Sequence, residues 1–89
     1  MIRRRYVFTG QVQGVGFRWR ARHAAGLYGC TGWCRNEWDG SVTLEIQGEE
    51  EAVGKVLRSV EAGRYIRIQH ADVTEMAPDP EERGFGVLD

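Results

Sequence analysis

The stretch "YVFTGQVQGVGFRWRARHAAGLYG", from Tyr6 to Gly29, constrains the fold most, because its hydrophobic period changes midway. From Arg3 to Val12 the residues alternate, with Tyr6, Phe8, Gly10 and Val12 on one face and Val7, Thr9 and Gln11 on the other. That pattern predicts a first strand, and Gly14 and Gly16 end it. From Phe17 the spacing becomes helical: Phe17, Ala21, Ala24, Ala25 and Tyr28 fall on one side, while Arg20, Arg22 and His23 lie around the rest. Gly29 is placed to cap the helix C-terminus.

A second strand, Thr31 to Glu37, meets a third, Ser41 to Gln47, across a turn ending in the hairpin signal "DG". Parity sets the loop length. An even loop would put Val42 and Leu44 on the face of Arg35 and Glu37, whereas a loop of Trp38, Asp39 and Gly40 aligns them with Cys34 and Asn36. The three-residue loop is therefore expected, with Gly40 left-handed in a bulge. In "EEEAVGKVLRSVEAG", Ala52, Val53, Val56, Leu57 and Val60 form one helical face, and the glutamates sit where the helix dipole favours them. "RYIRIQHADVTEM" alternates at Ile66, Ile68 and His70, then slips to Ala71 and Val73, which predicts a fourth strand with a bulge. "APDPEERG" is a polar loop, and "FGVLD" is placed to close a short fifth strand.

The order βαββαβ is that of an α+β, ferredoxin-like sandwich: an antiparallel sheet covered on one face by two helices. At 89 residues, with 42% hydrophobic and 28% charged content, the chain is expected to be one domain over residues 1–89. A net charge of −1 and a pI near 6.1 give no global field for nucleic acid or an anionic membrane, so anion binding has to be local. No apolar run approaches a membrane span or a signal-peptide core, and a cytoplasmic protein is expected. Two cysteines on one strand, Cys30 and Cys34, would stand roughly 13 Å apart, too far to bridge. They lack a second pair for zinc, and Arg35 follows Cys30 too soon for a phosphatase nucleophile loop, so they read as buried thiols.

In this topology the first and second strands run parallel on either side of the third, and their ends emerge on one edge roughly 9 to 10 Å apart. The Gln13–Arg18 loop leaves one and Asn36 ends the other. Gly14 and Gly16 let successive N–H groups turn inward as an anion cradle, to which the helix starting near Phe17 adds unpaired donors and its positive dipole end. Arg18 is badly placed for the dipole but well placed to fork onto a phosphate or carboxylate. The same residues also fit a plain strand-to-helix turn with a solvated Arg18.

"GQVQGVGFR" (Gly10 to Arg18) and "GWCRNEWDGSV" (Gly32 to Val42) resemble the two signature segments of the acylphosphatase family, and the "LYG" helix end, the "GSVTLEIQG" strand and the overall length agree with it. The resemblance implies a ferredoxin-like enzyme that, without metal or cofactor, hydrolyses the carboxyl-phosphate bond of small acyl phosphates to carboxylate and inorganic phosphate. It puts the phosphate-binding arginine at Arg18, the cradle at Gln13, Gly14, Val15, Gly16 and Phe17, and the water-orienting asparagine at Asn36. A monomer is expected. Cys34 stands where an aliphatic residue is usual, Trp38 is bulky for the hairpin loop, and the tail after Met76 is compact and acidic.

The alternative reading is a non-catalytic module that binds phosphate or another small anion. An RNA-binding sheet is disfavoured, because the aromatic-rich strand motif is missing despite Trp19, Trp33 and Trp38. His23 and His70 have no motif partner and receive no role, and "RRR" at Arg3 to Arg5 reads as a solubilising strand edge.

Overall fold

The alternating and helical runs resolve into seven elements in the computed structural model, which describes residues 1–88. They are β1 (Ile2–Gln11), α1 (Phe17–Tyr28), β2 (Thr31–Asn36), β3 (Val42–Gly48), α2 (Glu50–Glu61), β4 (Arg67–Met76) and β5 (Phe85–Leu88). The strands form one sheet in the order β4-β1-β3-β2-β5. Tyr6 and Phe8 of β1 pair with Leu44 and Val42 of β3, and Cys34 of β2 pairs with Leu44, so these side chains share the inner face. Ala21, Ala24 and Ala25 of α1 and Val53, Val56 and Val60 of α2 complete the core.

The parity expectations hold. Cys34 pairs with Leu44 and Asn36 with Val42, Glu37 N–H donates to the Ser41 carbonyl, and Gly40 is left-handed, which leaves Trp38, Asp39 and Gly40 as the loop. In β4 the pairing jumps from Thr9↔His70 to Gly10↔Ile68, so Gln69 is the bulged residue that moves the apolar set from Ile66 and Ile68 to Ala71 and Val73.

Two expectations are corrected. The sheet is mixed: β5 lies parallel to β2, because residues 77–84 carry the chain across the sheet's outer face from the β4 edge to the β2 edge. A four-residue strand has no pattern that encodes its edge or its sense. The arginines at 3 to 5 are likewise not on an edge, since β1 lies between β4 and β3 and Arg3 is only 5% exposed.

Arg3 holds the crossing segment down. Its guanidinium donates to Glu45 at 2.9 Å, to Gln47 at 2.9 Å, and through two nitrogens to Glu82 at 2.8 and 3.0 Å. Gln47 adds a reciprocal pair of 2.8 Å bonds with the backbone of Asp79, and Arg5 takes the second oxygen of Glu45 at 2.8 Å. A buried charge this well matched costs little to keep and much to break, about 3–5 kcal/mol when one partner is removed.

β2 and β3 approach closely at Gly32, whose φ is +144° and where a Cβ would lie 1.9 Å from the Glu45 carbonyl oxygen. Gly32→Ala is therefore expected to cost at least about 2 kcal/mol, read as a lower urea midpoint; a midpoint equal to the parent's would contradict this packing. Acid tests the outer-face network. The Arg3 hydrogen bonds hold the Glu82 carboxyl below its ordinary 4.5, against the opposing effect of burial. Its contribution is therefore complete above that value and lost as pH falls through the lowered folded-state value. Stability should drop on acidification, and Glu82→Gln should show a smaller drop; identical pH dependence in parent and variant would refute the assignment.

Candidate active site

Val42 pairs with Phe8 on one side and with Asn36 on the other. This places the end of β2 and the exit of β1 at one sheet edge, separated by two strand spacings, roughly 9 to 10 Å. Beyond β1 the chain alternates anchors and turns: Val12 and Phe17 are each 1% exposed, Val15 packs part-buried against the core, and Gly14 and Gly16 between them take φ of +72° and +84°. Those left-handed conformations would cost an ordinary residue about 1–2 kcal/mol each.

Gln13 fixes the loop to the hairpin. Its side-chain amide donates to the Glu37 carbonyl at 2.7 Å and the Ser41 carbonyl at 2.9 Å, so the two segments are bonded directly and not merely adjacent. Neither Gln13 nor Val15 lines the cavity at this edge, and both are limited to backbone contributions there. Gly14, Gly16, Phe17, Arg18 and Asn36 do line it, in a space of about 340 Å³.

The N-terminus of α1 faces this cavity without a side-chain cap and without an acidic residue in its first turn. Its leading N–H groups therefore keep their donors available, and the dipole's positive end is uncompensated. Arg18 projects from the first turn and reaches the Leu88 carbonyl at 3.5 Å, so the end of β5 borders the site. Across from it, the Asn36 Oδ1 atom is buried and has no hydrogen-bond partner among the described residues. Asn36 itself lines the cavity, and a buried amide oxygen left without a partner is an unmet acceptor beside it.

Two residues before Asn36 on β2 stands Cys34, fully buried, with its thiol pushed up to about 11 by burial against the opposing pull of the Arg18 charge. At neutral pH it is a protonated hydrophobe and no nucleophile. Both cysteines are free, as expected. No carboxylate of the described residues lines the cavity: Glu37 is turned to Thr43 and Arg35 at 2.6 and 3.1 Å, which holds its carboxyl below the usual range. Among the described residues no three His, Cys, Asp or Glu side chains converge as metal ligands.

Sequence reasoning missed four wall residues, Val12, Trp19, Arg22 and Val87. Arg22 was legible in principle, since it stands four residues after Arg18 on the same helix face. Val87 was not, because β5 reaches the site only through the outer-face crossing. Trp38, 97% exposed at the hairpin tip, is not part of the wall. His23 stacks on Trp19, and His70 pairs with Asp72 on β4.

The acylphosphatase family model matches residues 4–87. The acylphosphatase of Oceanobacillus iheyensis is 48% identical over 80 residues, which cover 88% of each chain, and that of Bifidobacterium longum is 42% identical over 89 residues, covering 98% and 92%. The crystal structure of acylphosphatase from Bacillus subtilis superposes over all of both chains with a TM-score of 0.89 at 29% identity. With the family model spanning nearly the whole chain and the glycine loop, Arg18 and Asn36 gathered at one cavity, the chain belongs to the acylphosphatase family.

Proposed function

We propose that Arg18 and Asn36 carry the acylphosphatase reaction in this chain, acting on a small acyl phosphate held in the Gln13–Phe17 loop. The observation that carries this reading is the meeting of three elements at one cavity: left-handed glycines, an uncapped helix N-terminus with its arginine, and an unpartnered Asn36 oxygen. The loop and helix N–H groups bind the phosphoryl oxygens. Arg18 forks onto two of them and balances the charge that spreads over the equatorial positions. The Asn36 side-chain amide hydrogen-bonds the attacking water and aligns it with phosphorus, so orientation takes the place of a strong base. The water oxygen bonds to phosphorus, the bond from phosphorus to the acyl oxygen breaks with its electrons leaving on the carboxylate, and a phosphoryl oxygen takes the water's proton.

A carboxylate is a good leaving group, which is why a site whose described wall has no carboxylate suffices. The same logic makes phosphate monoesters poor substrates. The positive charge at the phosphoryl group comes from Arg18 and the helix end, and turnover is expected to survive exhaustive chelation; loss restored by a divalent cation would overturn that. No helix of the described residues is long and apolar enough to cross a membrane. Two buried free thiols suit a reducing, cytoplasmic compartment.

Arg18→Ala and Asn36→Ala should each lower kcat/KM for benzoyl phosphate by about 10²-fold or more. Asn36→Ala should act mainly on kcat, with the fold intact by circular dichroism. Either variant retaining turnover within a few-fold of the parent would remove its residue from the mechanism. A parent without turnover would favour an anion-binding module.

A further inference from the structure

The glycine loop, Arg18 and Asn36 make up one part of the wall of the 340 Å³ cavity. The remainder extends along α1, where Trp19 and Arg22 also line an adjoining groove with His23 and Gly26.

The charge pattern of α1 is one-sided. The helix carries Arg18, Arg20 and Arg22 and no Asp or Glu, in a chain whose net charge is −1. Arg20 turns to α2 and donates to the Ser59 carbonyl at 3.0 Å, whereas Arg18 and Arg22 both face the cavity. Arg22 makes no hydrogen bond or ion pair among the described residues, and its helix neighbours at one turn's distance are Arg18, Trp19, Ala25 and Gly26. Two like charges one turn apart near a helix N-terminus disfavour the helix, so the placement of Arg22 has no structural return within α1. Trp19, stacked on His23 with ring centroids 5.1 Å apart and planes 5° apart, gives the groove a flat apolar wall.

We propose that Arg22 and Trp19 form the acyl-side subsite and select acyl phosphates whose acyl group ends in a second carboxylate. This rests on the hydrolase reading above. Arg22 stands about 6 Å along the helix from Arg18. In a four-carbon dicarboxylic monoacyl phosphate the distal carboxyl carbon lies five bonds from phosphorus, also about 6 Å at an advance of about 1.2 Å per bond. Arg18 then holds the phosphate, Trp19 covers the methylenes, and Arg22 forks onto the distal carboxylate.

The test compares the intact protein on succinyl phosphate and on butyryl phosphate, whose acyl chain has the same length and no carboxylate, with spontaneous breakdown subtracted. At low salt the parent should favour the succinyl substrate by about fivefold in kcat/KM, carried by KM and fading as salt rises. Arg22→Gln should abolish the preference, Arg22→Glu should invert it, and Arg22→Lys should keep part of it. Equal kcat/KM in the parent, or a preference that survives in Arg22→Gln, overturns the subsite while leaving the hydrolase reading intact. Hydrolysis of neither substrate by the parent overturns both.

Discussion

The double pairing of Val42 is the constraint on which the site depends. One residue of β3 is held by Phe8 of β1 and by Asn36 of β2, so the two halves of the site take their spacing from hydrogen-bonded ladders and not from loop packing. Ladder spacing is among the stiffest dimensions in a protein. The Gln13 amide extends the same control beyond the strands, since its two bonds to the hairpin carbonyls fix the glycine loop against the far half of the site. Preorganisation of this kind matters most where orientation replaces a strong base, because misplacement of a water by about 1 Å is costly.

The outer face serves the site indirectly. The Arg3 network clamps residues 77–84 across the sheet, and that crossing delivers β5 to the β2 edge. Val87 then walls the cavity, and the Leu88 carbonyl meets Arg18. A buried ionic cluster on the face away from the helices thus sets where the substrate side of the cavity ends. Cys34 packs in the core on the same strand as Asn36, a small hydrophobe whose burial keeps its thiol protonated.

Much of this was legible because strand and helix periods are strict. Parity alone distinguished the three-residue hairpin loop from the even ones, and the slip from His70 to Ala71 announced the bulge that falls at Gln69. The convergence of the glycine loop with Asn36 followed from topology. What stayed hidden depends on long-range packing. An arginine in an alternating strand reads as exposed whether or not a later segment will cover it, and the sequence around Arg3 gives no sign of the cover. The side chain of Gln13 also escaped: a glutamine beside a glycine loop gives no sign that it bonds carbonyls more than twenty residues away. Arg22 lies one turn from Arg18, but a helix-face arginine is commonly solvated and its spacing alone does not mark a wall residue.

The most direct test of the central claim is whether one anion engages both halves of the site together. Inorganic phosphate titrated into isotopically labelled protein, followed by amide and side-chain NMR, reports this without turnover. The account predicts that the backbone amides of Gly14, Gly16, Phe17 and Arg18, the Arg18 guanidinium and the Asn36 side-chain amide shift along a single saturating isotherm. Shifts confined to exposed arginines such as Arg64 and Arg83, or loop shifts that leave Asn36 unmoved, would contradict it.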